Sequence, residues 1–127
     1  MRAPDGRPIY LDLPRIKLPM PGVISIMHRV FGVMMSFSIP LFSYLFALSL
    51  TSQAGYDQAR SFVTSGWLYP VYFVLIWGFT HHLFAGIRYL LIDIEIGVDR
   101  EISYKSSFVV LIAALVVATI IALGVLL

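Results

Sequence analysis

The chain has 127 residues, 59% of them hydrophobic and 13% charged, with no cysteine and a formal net charge of +2. A soluble domain carries about 25% charged residues, so a water-soluble globule is excluded, and the length allows a single domain. Without cysteine the chain holds no iron–sulfur cluster, thiolate metal site, attached c-type haem or disulfide. Its basic residues form no stripe that would grip a nucleic acid, and no Gly-rich nucleotide fingerprint is present.

The first 21 residues contain five of the seven prolines: Pro4, Pro8, Pro14, Pro19 and Pro21. Prolines this close together forbid a continuous helix, so residues 1–21 are expected to form an arm at the membrane surface. The apolar run beyond them starts too late and is too long for a cleavable signal. Asp5 and Asp12 are out of place in a mitochondrial transit peptide. The expectation is a multi-pass protein of the bacterial cell inner membrane.

Three stretches lack Asp, Glu, Lys and Arg altogether: 30–56, 61–87 and 106–127. A helix needs about 20 residues to cross a hydrocarbon core of about 30 Å, so each can span. Span one is placed at 22–50, with Pro40 expected to kink it. The loop after it has room for a short helix around 57–63. Span two, 67–94, opens on Trp67, Tyr69 and Tyr72 as an aromatic belt. The most charged stretch, 95–105, leads into span three at 106–127. Of the nine Lys and Arg residues, only Arg60 falls on the far side of this arrangement. The bias puts the N terminus in the cytoplasm and the C terminus outside. The predicted fold class is therefore an all-α integral membrane protein, a single domain over 1–127 with three transmembrane helices.

An ionisable side chain at the centre of a spanning helix costs about 2.5–3.5 kcal/mol, so each one inside the spans calls for a reason. Ser25, His28, Arg29, Gly32 and Ser36 fall on one helical face. Arg29 can snorkel while His28 bonds a backbone carbonyl. Alternatively, hydroxyl, imidazole and guanidinium together suit a quinone carbonyl or a haem propionate. Gly78, His82 and Gly86 follow one another at four-residue steps on span two. They read either as a small-residue helix contact with His82 as interhelical glue, or as a flat patch for a porphyrin with His82 at the iron. His81, rotated by about 100° on the helix, cannot serve the same iron and reads as structural. His82 lies about 9 Å deeper than Arg88, on the same side of the membrane as the first face, so a haem on His82 would point its propionates toward His28 and Arg29. A second axial ligand would come either from His28 or from another subunit, and the place of His28 near the membrane edge favours a partner histidine. Asp93 and Glu95, just past span two, read as surface charges or as part of a proton relay.

Arg7-Pro8 with Leu11-Asp12-Leu13, then the run from Ser25 through His28-Arg29 to Gly32, resembles a signature of the cytochrome b membrane-anchor subunits of succinate dehydrogenase, complex II. The segment from His82 through Gly86-Ile87-Arg88 to Asp93 resembles a second motif of that family, in the right order and separation. The resemblance covers essentially the whole chain. It implies a helix bundle shared with a second anchor subunit, and a b haem whose iron takes His82 as one axial ligand and a residue of that second subunit as the other. It further implies that Ser25 and Arg29 help form the ubiquinone site beside the iron–sulfur subunit, with His28 and Arg29 near the haem propionates. Tyr89 departs from the pattern, which frequently has histidine there.

The function expected on these grounds is a membrane anchor of succinate:ubiquinone oxidoreductase. Succinate would be oxidised on a flavoprotein subunit, its electrons relayed by cysteine-ligated clusters, so that this chain alone does not oxidise succinate and carries no catalytic residue for that step. A trimer of such complexes is compatible with the sequence. The competing reading is a haem-free structural anchor of a membrane oxidoreductase of the fumarate reductase type. A proton or ion channel is disfavoured because the polar groups stop in one half of the membrane and 106–127 is almost wholly aliphatic.

Overall fold

The computed structural model describes residues 17–126, the side chain of Leu126 excepted; most of the proline-rich arm, residues 1–16, lies outside them. The described residues form four α-helices and no strand: α1 Met20–Ser49, α2 Gln53–Val63, α3 Tyr69–Asp93 and α4 Arg100–Leu126. A single 3-10 turn, Gly66–Leu68, leads into α3. Three helices are long and apolar enough to cross a membrane: α1, α3 with its preceding turn, and α4. The protein is a multi-pass membrane protein.

Local chemistry sets the helix ends. Pro19 precedes α1 and Pro21 sits in its first turn, where a missing N–H costs nothing. The Pro19 carbonyl accepts from the Gly22 and Val23 amides at 2.8 and 3.2 Å. The helix then continues past Pro40 to Ser49. The short helix in the loop begins at Gln53, earlier than expected, because Ser52 caps it by accepting from the Gly55 amide at 3.0 Å. Gly55 also lets α2 press against the end of α1, since a Cβ there would collide with the Leu48 carbonyl and the Thr51 hydroxyl. At the other end of the molecule, α4 starts at Arg100 rather than 106, its first turn closed by the Ser103 amide on the Asp99 carbonyl at 2.7 Å. Lys105 pairs with Glu101 one turn back at 2.6 Å.

α3 lies between α1 and α4 and packs on both, while α1 also touches α4. The interior is built largely of small or slender side chains: Ile24, Phe31, Ala85, Val110, Ala114 and Ala118 are buried. Large apolar residues such as Phe37, Phe46, Ile112 and Ile120 face outward. In a bilayer this is the expected inversion, because lipid offers leucine and phenylalanine as good a solvent as protein does and close backbone approach becomes the source of cohesion.

Two buried polar ties fasten α3 to α4. The Thr80 hydroxyl lies 3.0 Å from the Ala114 carbonyl across the interface, and also within reach of carbonyls in its own helix. Arg88, taken from sequence as the marker of a membrane edge, is turned inward and only 6% exposed. Its Nε donates to Ser106 Oγ at 2.9 Å and its Nη2 to the Ser103 hydroxyl and carbonyl at 2.8 and 3.0 Å.

Candidate functional site

The polar face of α1 and the histidine of α3 meet. The rings of His28 and His82 stack face to face, centroids 3.9 Å apart and planes inclined by 11°. The two residues therefore lie at one depth, as the shared side of the membrane required. His82 Nδ1 lies 3.0 Å from the His28 carbonyl oxygen. A carbonyl only accepts, so Nδ1 carries a proton, and in the neutral ring Nε2 has the lone pair. Among the described residues Nε2 has no hydrogen-bond partner.

Beyond the stacked rings an open groove of about 720 Å³ runs along α1, lined by His28, Arg29, Gly32, Val33, Ser36 and His82 and continuing to Phe37 and Pro40. Four of the five residues on the polar face thus line it. Ser25, one turn earlier, does not; it is half-buried at the groove's approach, and Arg29 is exposed. Ser36 spends its proton on the Gly32 carbonyl at 2.9 Å, as Ser38 does on that of Met35 at 2.7 Å. Among the described residues the Ser25 hydroxyl makes no such bond within its helix.

The glycines flanking His82 do not clear an open patch. Gly78 is buried under Phe31 and Met34 of α1: a Cβ there would run into the Met34 methyl and lie 2.9 Å from the Phe31 ring. Gly86 faces His28, whose Nε2 would be 3.7 Å from an added Cβ. Both glycines therefore act as helix-packing positions, and the open surface near His82 is on the α1 side of the ring. Gly32 is the third glycine in this contact, on α1 itself, with His82 Cε1 2.9 Å from where its Cβ would be. The spacing rule could have flagged it as part of the polar face but not as the contact point.

The neighbouring His81 and Tyr89 are packed among rings, and among the described residues both His81 nitrogens and the Tyr89 hydroxyl are buried without a hydrogen-bond partner. His81 is fully buried, its ring 5.2 Å from that of Phe31, and does not reach the groove. Tyr89 stands edge-on to His28 with centroids 5.3 Å apart. Among the described residues no group of three His, Asp or Glu side chains is close enough to hold a metal ion.

A family described as "Succinate dehydrogenase/Fumarate reductase transmembrane subunit" matches residues 3–122. The chain belongs to this family. Among its curated relatives, the succinate dehydrogenase cytochrome b556 subunit of Coxiella burnetii is 32% identical over 116 residues, covering 88% of this chain and 93% of that protein. The cytochrome b556 subunit of Paracoccus denitrificans is 29% identical over 91% of this chain and 88% of its own length. The cytochrome b560 subunit of Reclinomonas americana is 30% identical over 84% of this chain and 77% of its own. Membership of a transmembrane-subunit family agrees with the three spanning helices, and the resemblance read from the two motifs is upheld across nearly the full length.

Proposed function

We propose that this transmembrane subunit anchors a succinate:ubiquinone oxidoreductase, with the N terminus in the cytoplasm of a bacterial cell and the spans in its inner membrane. Its partners would be a flavoprotein, an iron–sulfur subunit and a second membrane anchor. That second anchor would complete the groove beside α1 and supply the second axial ligand of a b haem. The observation that carries this reading is the geometry of His82: its Nδ1 lies against the His28 carbonyl, and among the described residues its Nε2 has no hydrogen-bond partner beside an open groove. An imidazole so held has the donor that a haem iron takes. When bound, the haem would supply a one-electron carrier. His28 and Arg29, beside His82 in the same groove, would meet its propionates.

Ser25 and Arg29 would bind the quinone. Ubiquinone takes up two electrons and two protons to become the quinol, and both of its carbonyl oxygens accept hydrogen bonds. The hydroxyl of Ser25 would donate to one such oxygen. The exposed guanidinium of Arg29, on the next turn of the same face, would stabilise negative charge as it develops there. The family's second branch, a haem-free anchor, is favoured by one observation: α1 covers Gly78, so this glycine offers no bare surface to a planar ligand.

The test is a reduced-minus-oxidised absorption spectrum of the detergent-purified complex. A sharp b-type band is expected in the wild type and should vanish in His82→Ala while the subunits stay together. A flat wild-type spectrum from an intact complex would leave the haem-free anchor. In the same preparation, Ser25→Ala and Arg29→Leu should lower quinone reduction about tenfold or more, the worth of a hydrogen bond involving a charge, with succinate oxidation by artificial dyes unchanged.

A further inference from the structure

We infer that the backbone of α1 at residues 28 and 32 fixes the rotation of the His82 ring, and that Gly32 is a positioning residue for that imidazole. The inference rests on His82 being an iron ligand and concerns what orients it.

The geometry follows from the helix itself. In α1 the carbonyl of residue 28 points toward the amide of residue 32, so a ring that reaches the first from outside must pass over the Cα of the second. His82 does this. Its Nδ1 lies 3.0 Å from the His28 oxygen. A Cβ on residue 32 would fall 2.9 Å from His82 Cε1 and 3.3 Å from Nδ1. Carbon atoms in contact prefer about 3.5–4.0 Å, so any side chain on residue 32 pushes the ring off the carbonyl. The His28 ring covers one face of His82 at 3.9 Å, which opposes tilting. Of the two nitrogens, Nδ1 is engaged and Nε2 is directed away from α1's carbonyl. Glycine is required here for space, since residue 32 is in ordinary helix.

Two properties of a bound haem depend on this arrangement. The plane of an axial imidazole sets the rhombicity of the ferric signal in electron paramagnetic resonance. A hydrogen bond from Nδ1–H to a carbonyl makes Nε2 more electron-rich, which stabilises ferric over ferrous iron and lowers the midpoint potential.

The experiment compares wild-type complex with Gly32→Ala and Gly86→Ala. An added Cβ at Gly86 would be 3.7 Å from His28 Nε2, an ordinary contact, so that variant is the control for general loosening of the helix pair. Gly32→Ala is expected to retain the b-type band, shift the low-field ferric signal and raise the midpoint potential, with Gly86→Ala close to wild type. Identical signals and potentials in Gly32→Ala and wild type would overturn the inference, as would equal shifts in both variants. No b-type band in the wild type would instead refute the ligand assignment of His82. If Gly32→Ala does not assemble, a structure of the wild-type complex decides: Nδ1 of His82 within ~3.2 Å of the His28 carbonyl supports the inference, and a ring turned to another acceptor overturns it.

Discussion

α3 has two seams, and they are built from different materials. Toward α4 it is closed by alanines, Ala85, Ala114 and Ala118, and by hydrogen bonds from Thr80 and Arg88 to groups on the other helix. Toward α1 it is closed by rings lying against glycines: Phe31 over Gly78, His82 over Gly32, His28 over Gly86. The first seam is closed from Thr80 to Arg88 and opens beyond them onto an apolar pocket of about 360 Å³ between Tyr72, Phe73 and Ile76 of α3 and Ala122 of α4, whereas the second opens into the groove beside Arg29 and Ser36. Directed bonds to backbone and serine hold one pair of helices in register. Among the described residues the other pair is held by shape and by the single bond at His82, and its groove is the one lined by the polar face of α1.

Substitutions can break this contrast on either side. The largest effect is expected at Gly78→Leu, where the side chain must enter space held by the rigid Phe31 ring; overpacking of this kind costs about 3 kcal/mol and should part α1 from α3. Thermal dissociation of the purified complex, followed alongside any b-type band, should show both falling together. Arg88→Leu acts on the other seam. Its three hydrogen bonds would be lost for a cost of about 2 kcal/mol, and the melting temperature should drop while the spectrum at low temperature stays as in the wild type. Thr80→Val, which removes the hydroxyl shared between the Ala114 carbonyl and those of Ile76 and Trp77, should lower stability by about 1 kcal/mol with no spectral change. A spectral change in either of the last two variants would show that the seams are coupled.

Much of this was legible in the sequence because membrane insertion leaves a coarse trace. The charge-free blocks gave the spans, and the spacing of Ser25, His28, Arg29, Gly32 and Ser36 gave one face, four of whose members line the groove. What could not be read was which neighbour each residue meets. Gly78 and Gly86 looked like room for a planar ligand, yet whether a small residue faces a ligand or another helix depends on how the two helices are rotated about their axes. Arg88 looked like an edge residue because arginine at the end of a span usually reaches for water. It turns inward here because Ser103 and Ser106, in the next helix, offer acceptors within its reach. Ser25 fell on the predicted face and still lies outside the groove, since a face continues along the helix further than the groove does.

The turn between α3 and α4 has one further consequence. Glu95 and Gly97 both take left-handed backbone angles, φ 63° and 80°, and the Glu95 and Ile96 amides close back onto the Ile92 and Leu91 carbonyls at 2.9 Å. With so short a connection and the Arg88 clasp just inside it, α3 and α4 can pair as a helical hairpin from contacts close in sequence, whereas α1 must be brought in across α2 and its loops. The spatial difference between the seams thus implies an order of assembly: the hairpin carrying His82 forms first, and α1 docks onto it later with the carbonyl that holds the imidazole. Until then the His82 ring would lack the carbonyl oxygen that lies 3.0 Å from its Nδ1.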